Sequence, residues 1–296
     1  MGLHTFTPRT GLIALATITL LVACAKQEPP TINFAPYSKD YQSKMSLAQV
    51  DYKYPIAPAE LAKITPDYLA KLDQEQLDQI YARLPAGPIP DGAFDGRILL
   101  PRGESGKFRL SEIVGGFTGM GLHLKGLLIE DIGEALWRGK VFFRDERVLR
   151  NRIDDLSILK KIGLVEGEPK KMTYGGKETW LLFPAKLYCG QSLLDARRES
   201  IIIDYFFTDE IPGYQENPDY LAGRRGLKVR DEIRMIRPGL YLGRAYLDRA
   251  FALNFTLYDK ATDEKSTEAF VKTGTVQQDC WPGTQVRPVV ASATKP

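Results

Sequence analysis

The sequence predicts an α+β fold in which N-terminal helices precede an antiparallel β-barrel or a strongly curved β-sheet. Two features of the 296-residue chain support this prediction. Before about residue 136, apolar side chains recur every three or four residues, which is the period of an amphipathic helix. Beyond that point they alternate with polar residues in short runs separated by turns, which is typical of antiparallel strands. With 44% hydrophobic and 26% charged residues, the chain can bury a core.

The strongest helix signal covers residues 65–84. A Thr-Pro-Asp tripeptide at its start offers an N-cap, a proline at the first helical position and an early acid, and Pro85 ends the apolar pattern. A second helical period covers residues 110–128 but contains five glycines, each of which costs a helix up to about 1 kcal/mol relative to alanine. The glycines predict close backbone packing along that face, and His123 in the same stretch is interpreted as structural.

Period-two patterns predict a series of strands. They cover Leu136–Phe143, Glu178–Tyr188, Glu199–Phe207, Lys228–Ile236, Leu240–Leu247 and Phe251–Asp259. Arg97–Leu100, after a turn-rich segment, is interpreted as a first short strand. Asp154–Pro169 predicts a short helix and a loop. The long insertion Asp209–Gly226 contains prolines and aromatic residues. Because loops of more than about 12 residues in compact domains are often functional, we predict that this insertion forms a lid.

The N-terminus is predicted to be a signal peptide. Residues 11–23 form an apolar run that is too short to span a bilayer and leads into Leu21-Val22-Ala23-Cys24. This tetrapeptide resembles the bacterial lipobox, which implies that Cys24 is lipidated and that acyl chains anchor the protein to a membrane. Ala25 follows in place of an inner-membrane retention aspartate. The resemblance therefore implies an outer-membrane lipoprotein of the bacterial envelope, facing the periplasm or the cell surface.

These signals divide the chain into five segments. Residues 1–23 are the predicted signal peptide, 24–57 a flexible membrane tether, 58–135 the helical part of the domain, 136–280 the barrel-like part and 281–296 a disordered tail. As a flexible chain, the tether would extend roughly 30 Å from the membrane.

Two cysteines remain once Cys24 carries lipid. In an oxidising compartment, Cys189 and Cys280 predict a disulfide, with two buried free thiols as the alternative. The disulfide would close a loop of about 90 residues and stabilise the fold by on the order of 4 kcal/mol.

The composition argues against several kinds of functional site. Without the signal peptide the chain has a single histidine, His123, which argues against a Ser-His-Asp hydrolase and a multi-histidine metal site. It contains no GxSxG, HExxH, CxxC or P-loop motif, so we expect no cofactor and no metal. The net charge of +3 becomes +2 when Arg9 leaves with the signal peptide, and the basic residues are scattered. We therefore expect no nucleic-acid partner.

Asp204 is the only charged residue in the run IIIDYFF. Strand alternation places it on one face with Ile202, and places Tyr205 on the other. One interpretation is a structural ion pair with an arginine of the following strands. The other is a polar floor that orients the head group of an amphipathic ligand inside an apolar cavity. The candidate ligand-binding residues are Asp204, Arg230, Arg234, Arg244, Tyr241 and Trp137.

The segment LWRGKVFF, Leu136 to Phe143, is predicted to close one end of the sheet. Strict alternation places Trp137 and Gly139 on the inward face, with Trp137 as a plug, and Arg138 and Lys140 on the opposite face.

The order of LWRGK, IIIDYFF, RDEIRMIRPGLYLGRAYL and FALNFTLYD resembles that of the lipocalin-like, or calycin-like, β-barrels, in particular the small bacterial GXWXG-type proteins. The resemblance covers about Leu136 to Asp259. It implies a closed antiparallel barrel whose mouth admits a hydrophobic molecule.

Three functional hypotheses follow, in order of preference. The first is a non-enzymatic envelope lipoprotein that binds or carries a lipid or another acyl-chain ligand in its barrel. The second is a structural or interaction protein that docks to another envelope component. The third, a carboxylate-based hydrolase, predicts that Asp204 or Glu232 lies with a second acid in an open cleft.

Overall fold

The structure is a computed structural model that describes residues 1–2, 28–104 except Tyr41, 137–161, and 163–281 except Leu164, Glu166 and Gly175. The predictions on Cys24, His123, the glycine-rich segment and the tail after Trp281 lie outside the described residues. Within the described part of the chain, no helix has the length and apolarity needed to cross a membrane.

Eight antiparallel strands form a closed β-barrel, and a ninth short strand pairs with one of them. The strands are β1 (Gly92–Leu99), β2 (Trp137–Phe143), β3 (Val148–Ile153), β4 (Met172–Tyr174), β5 (Lys177–Gln191), β6 (Glu199–Asp204), β7 (Val229–Arg237), β8 (Leu240–Leu247) and β9 (Ala250–Tyr258). Each barrel strand pairs with the next, β9 returns to β1, and the extra strand β4 pairs with β5. The prediction of helices followed by an antiparallel barrel is therefore confirmed. Closure leaves no exposed sheet edge on the barrel.

From Leu136 onward the predicted strands match the observed ones to within a few residues, and β8 matches residue for residue. The first strand was predicted at Arg97–Leu100, whereas β1 already begins at Gly92. The turn Arg237-Pro238-Gly239 joins β7 to β8 as expected. Gly239 has φ of +78°, and a Cβ there would lie 2.5 Å from the carbonyl oxygen of Asp259, so only glycine fits.

Two strands were missed. β3 carries Asn151 on its inward face, which breaks the apolar alternation, and β4 has only three residues.

Alternation fills the barrel interior with apolar side chains. Ile201 and Ile203 of β6 and the following Tyr205 point inward. Leu253, Phe255 and Leu257 of β9 do the same. Asp204 and Ile202 take the opposite face of β6, as the strand pattern predicts.

Helices cover part of the outer face. They are α1 (Leu47–Lys53), α2 (Pro58–Lys63), α3 (Pro66–Leu69), α4 (Gln74–Ala82), α5 (Ser157–Lys161), α6 (Glu216–Asp219) and α7 (Lys260–Thr273). The single helix predicted over residues 65–84 is two helices. Thr65 caps α3 as expected, but Asp73 starts α4 with a capping box in which its carboxylate accepts from the Gln76 amide at 2.8 Å. A strong second N-cap therefore divides the helix.

The N-terminal helices lie on β7 and β8 over a second apolar cluster. Its buried members include Leu61, Ile64, Leu69, Leu77, Ile80 and Leu84 from the helices, Ile236, Leu240 and Leu242 from the barrel, and Phe270 from α7. The barrel thus has one apolar core inside and another between its outer face and the helices.

The prediction of a flexible tether over residues 24–57 is wrong from about Pro30 onward, where the chain begins to be buried. Residues 47–53 form α1, and Ala35 and Val50 are buried. The Gln79 side chain of α4 holds the backbone of Ala35 through two hydrogen bonds of 2.9 Å. These contacts were missed because isolated apolar residues without a period can still pack against a preformed surface.

Cys189 at the end of β5 and Cys280 after α7 form a disulfide, with Cα atoms 5.4 Å apart. The predicted pairing is therefore present in the structure. It fastens the segment after α7 to the barrel wall.

Removing this disulfide is expected to destabilise the chain by about 2–5 kcal/mol, because it closes a loop whose ends are 91 residues apart. The measurement is urea unfolding of the Cys189→Ala/Cys280→Ala variant beside the wild type. Reduced wild-type protein is the control and should show a similar loss. A loss below about 0.5 kcal/mol, within the range of an ordinary surface substitution, would contradict this.

Candidate functional site

The barrel interior contains a cavity of about 310 Å³. Its walls are mostly apolar and come from seven strands (β1, β2, β3, β5, β7, β8 and β9), from α5 and from the segment between β6 and β7. The apolar lining residues are Ile98, Ile153, Leu159, Phe183, Leu221, Ala222, Leu227, Val229, Ala245, Leu253 and Phe255. The volume lies at the lower end of the range for small-molecule sites, about 300–1,000 Å³.

One group of buried polar side chains, Lys140, Asn151, Tyr205 and Asp231, also lines this cavity; we call it the polar cluster. Lys140 Nζ lies 2.9 Å from Asp231 Oδ2. It also donates to Asn151 Oδ1 at 2.9 Å and to the Tyr205 hydroxyl at 2.6 Å. A complete ion pair therefore lies inside an apolar barrel.

Aromatic rings surround the ammonium group. Lys140 Nζ lies 5.3 Å from the ring centres of Trp137 and Tyr205 and 5.4 Å from that of Phe255. Burial lowers the pKa of Lys140, and the attraction of Asp231 opposes that shift. Burial together with the charge of Asp231 raises the pKa of Tyr205 well above its ordinary value. The aromatic rings and the Asp231 carboxylate both stabilise the charged form of Lys140 in this buried site.

A β-bulge brings Trp137 and Lys140 to the same cavity. The β2–β3 register shifts between Trp137 and Gly139, so one extra residue enters β2. Gly139 has φ of +132°, and a Cβ there would lie 2.0 Å from the Phe94 carbonyl oxygen. The prediction that Lys140 faces away from Trp137 is therefore wrong, because the bulge reverses the alternation beyond it. Trp137 does face inward as predicted.

The insertion predicted as a lid contributes to the cavity wall. Leu221 and Ala222 line the cavity. Asp219 anchors the insertion, since its carboxylate accepts from the backbone amides of Phe183 at 2.6 Å and Gln215 at 2.9 Å. The insertion is thus held over one side of the barrel by buried hydrogen bonds.

Asp204 does not form the predicted arginine pair. Its carboxylate accepts from the Tyr188 hydroxyl at 2.7 Å and from the Phe206 amide at 2.9 Å, on the outer face of β6. It does not line the cavity. Glu232 is also on the outer face of the barrel wall. Its side chain lies 3.2 Å from Arg230 and is nevertheless fully buried. The open two-acid cleft predicted for a hydrolase is therefore not formed by these residues.

The three candidate arginines lie outside the barrel interior. Arg230 donates to the Gln191 carbonyl at 2.9 Å. Arg234 is fully buried and donates to Ser200 Oγ at 2.9 Å and to the Arg198 carbonyl at 2.8 Å. Arg244 pairs with Asp78 of α4. They fix the helices and loops to the outer wall and do not bring a ligand's head group into the cavity.

Tyr241 lies at another cavity, also of about 310 Å³, between the barrel and α7. Its hydroxyl donates to the Pro88 carbonyl at 2.7 Å, and its ring packs against Phe94. Of the six predicted ligand-binding residues, only Trp137 lines the interior cavity.

Among the described residues, the group that could supply metal ligands is Cys189, Glu199 and Cys280. Both sulfur atoms are committed to the disulfide. We therefore interpret these three residues as structural and not as a metal site.

Buried tyrosines predict a loss of stability at high pH. Burial raises the pKa of Tyr81, Tyr205 and Tyr241, so the folded chain keeps protons that the unfolded chain releases near pH 10. Their stabilising effect is complete below about pH 10 and is lost above it. The lowered pKa of Lys140 has the opposite effect on stability, but this one group is outweighed by the three tyrosines.

We expect the melting temperature to fall steeply above about pH 10. Tyrosinate absorbance should then show one set of tyrosines ionising near its ordinary pH and a second set ionising only with unfolding. Ionisation of all tyrosines in one step while the fold persists would contradict this prediction.

Sequence reasoning missed Lys140, Asn151 and Asp231. Asn151 and Asp231 each have apolar residues two positions away on both sides, Leu149 and Ile153 or Val229 and Ile233. That is the signal that could have found them, because a polar group on an otherwise apolar face needs a partner. The bulge in β2 hid Lys140, and β3 with Asn151 was not recognised.

Comparison of the chain with protein-family models, with curated proteins and with solved structures finds no match in any of the three.

Proposed function

We propose that this protein is a membrane-anchored envelope lipoprotein that binds or carries one small hydrophobic ligand in its barrel. The observation that carries the proposal is the interior cavity of about 310 Å³, whose walls are apolar and which contains a single cluster of polar groups. A mostly apolar pocket with a few convergent polar groups is the usual form of a small-molecule site. The closed eight-strand barrel is compatible with the lipocalin-like resemblance, and such barrels are just wide enough for one small ligand.

The ligand's contacts would come mainly from the apolar wall. Leu253, Phe255 and Val229 offer aliphatic and aromatic surface. Each square ångström of apolar surface that ligand and wall bury together contributes about 25 cal/mol, and an apolar cavity of this kind favours an apolar occupant over water.

The lipobox resemblance supports anchoring through Cys24. The packed chain starts close to that residue, because Pro30 is buried and the Thr31 amide donates to Glu60 at 2.6 Å. The six residues from Cys24 to Pro29 reach at most about 20 Å when extended. The barrel would therefore lie close to the bilayer, where apolar ligands are exchanged. Loss of radiolabelled palmitate incorporation in a Cys24→Ala variant tests the anchor.

Filling the cavity tests the binding function. Ala245 of β8 lines the cavity, so Ala245→Phe would place a ring where the ligand lies. Calorimetric titration with decan-1-ol should show one site in the wild type and an affinity weaker by at least about tenfold in the variant. Ala250→Phe, at an exposed position of β9, is the matched control and should bind like the wild type. Absence of binding to the wild type, or equal binding by Ala245→Phe, would refute the proposal.

A further inference from the structure

The polar cluster offers a ligand no hydrogen-bond donor. All three protons of the Lys140 ammonium are used by Asn151, Tyr205 and Asp231. The amide group of Asn151 donates to the Phe183 carbonyl at 3.1 Å and to the Tyr205 hydroxyl at 3.0 Å. The indole of Trp137 donates to Asn151 Oδ1 at 2.9 Å. The Tyr205 hydroxyl has two acceptors within the cluster, Asp231 Oδ2 at 3.3 Å and Asn151 Oδ1 at 3.4 Å.

One acceptor in the cluster remains open. Asp231 Oδ2 is used by Lys140 and Tyr205, whereas no described residue donates a hydrogen bond to Asp231 Oδ1. The Asp231 side chain lines the cavity and is almost completely shielded from solvent. A carboxylate oxygen in such a place gains most from a ligand that brings a donor.

Charge restricts the ligand further. A carboxylate ligand would find no donor and would lie beside the negative charge of Asp231. A ligand ammonium would lie beside Lys140, which is only 2.9 Å from the same carboxylate. In either case the barrel would contain an unbalanced buried charge, which is costly. A neutral donor avoids both costs.

We propose that the ligand is a neutral apolar molecule with a hydroxyl group, and that this hydroxyl donates a hydrogen bond to Asp231 Oδ1. The inference rests on the proposed ligand-binding function. The hydroxyl-bearing molecule is of the class of a long-chain alcohol or a neutral lipid with a free hydroxyl. An ionised fatty acid does not fit this site.

The test compares four probes of one chain length: decan-1-ol, its methyl ether, decanoate and decylammonium, titrated by calorimetry at neutral pH. The ether replaces the hydroxyl hydrogen with a methyl group, so it keeps the chain and the oxygen atom but has no donor. We expect the alcohol to bind at least about tenfold more tightly than the other three, since a hydrogen bond to a charged group is worth at least that factor. An ether or an ion that binds as tightly as the alcohol overturns the inference but leaves the proposed function standing. Failure of all four to bind overturns both.

A paired variant identifies the acceptor. Lys140→Met/Asp231→Leu removes both charges together, so no buried charge is left unpaired. It should keep its affinity for the ether, while its preference for the alcohol falls to within about twofold. The control Lys272→Met/Glu268→Leu removes an exposed ion pair on α7 and should keep the wild-type preference. A full alcohol preference in the Lys140/Asp231 variant would show that Asp231 is not the acceptor.

Discussion

Replacing Lys140 with methionine is expected to destabilise the folded chain by about 3–5 kcal/mol. The substitution leaves Asp231, 4% exposed, without its cation inside an apolar barrel. It also leaves Asn151 and Tyr205 without one hydrogen-bond donor each. The measurement is the free energy of unfolding in urea, at a pH where Asp231 would be ionised in the unfolded chain.

The paired variant Lys140→Met/Asp231→Leu separates the unpaired charge from lost packing. Replacing both partners with apolar residues of similar size is often neutral, so most of the lost stability should return. The exposed pair of Lys272 and Glu268 serves as the reference, because breaking it should cost no more than about 1 kcal/mol. If Lys140→Met costs no more than this reference, the ion pair is not the desolvated pair described here.

Replacing Arg244 with methionine is expected to lower the free energy of unfolding by a similar amount, about 3–5 kcal/mol. We expect α4 to open more readily than the barrel strands. Arg244 is 1% exposed, pairs with Asp78 of α4 and donates to the Tyr246 hydroxyl at 3.0 Å. Its loss leaves the Asp78 carboxylate buried at the contact between α4 and the outer wall. Hydrogen exchange is the appropriate measurement, because it resolves local opening from global unfolding.

Amides of α4 should exchange faster in Arg244→Met than amides of β5 and β6. Arg97→Met is the matched control. Arg97 pairs with Asp67 at the surface, so its loss should cost no more than about 1 kcal/mol and leave α4 protected. Uniform acceleration of exchange throughout the chain would show instead that helices and barrel unfold as one unit.

Much of the barrel could be predicted because alternation is read directly from sequence. β8 and β9 combine β-branched or aromatic residues with clear turns, and their boundaries were predicted to within one residue. The start of β6 was also predicted, but the strand ends three residues earlier than expected. The long loop after β6 was recognised by its length. What failed was the N-terminal segment, where Ala35 and Val50 pack without any periodic signal, and the helix that Asp73 divides.

The site was harder to predict than the fold. A strand pattern tells which residues share a face, and it correctly separated Tyr205 from Asp204. It does not tell which face is interior once a bulge intervenes, and the bulge near Gly139 moved Lys140 inward. The strand pattern also does not tell which charged side chains will form ion pairs with each other. Asp204 attracted attention as an isolated acid, whereas the buried pair formed between strands that are distant in sequence.

Native mass spectrometry of the full chain purified from membranes tests the central claim most directly. The proposed lipid anchor would be covalent, whereas a ligand held in the barrel would appear as an additional mass that dissociates on activation. We expect one neutral adduct per wild-type chain and none on Ala245→Phe, in which the cavity is filled. A wild-type chain that carries no adduct, or an Ala245→Phe variant that carries the same one, would contradict a ligand-binding barrel.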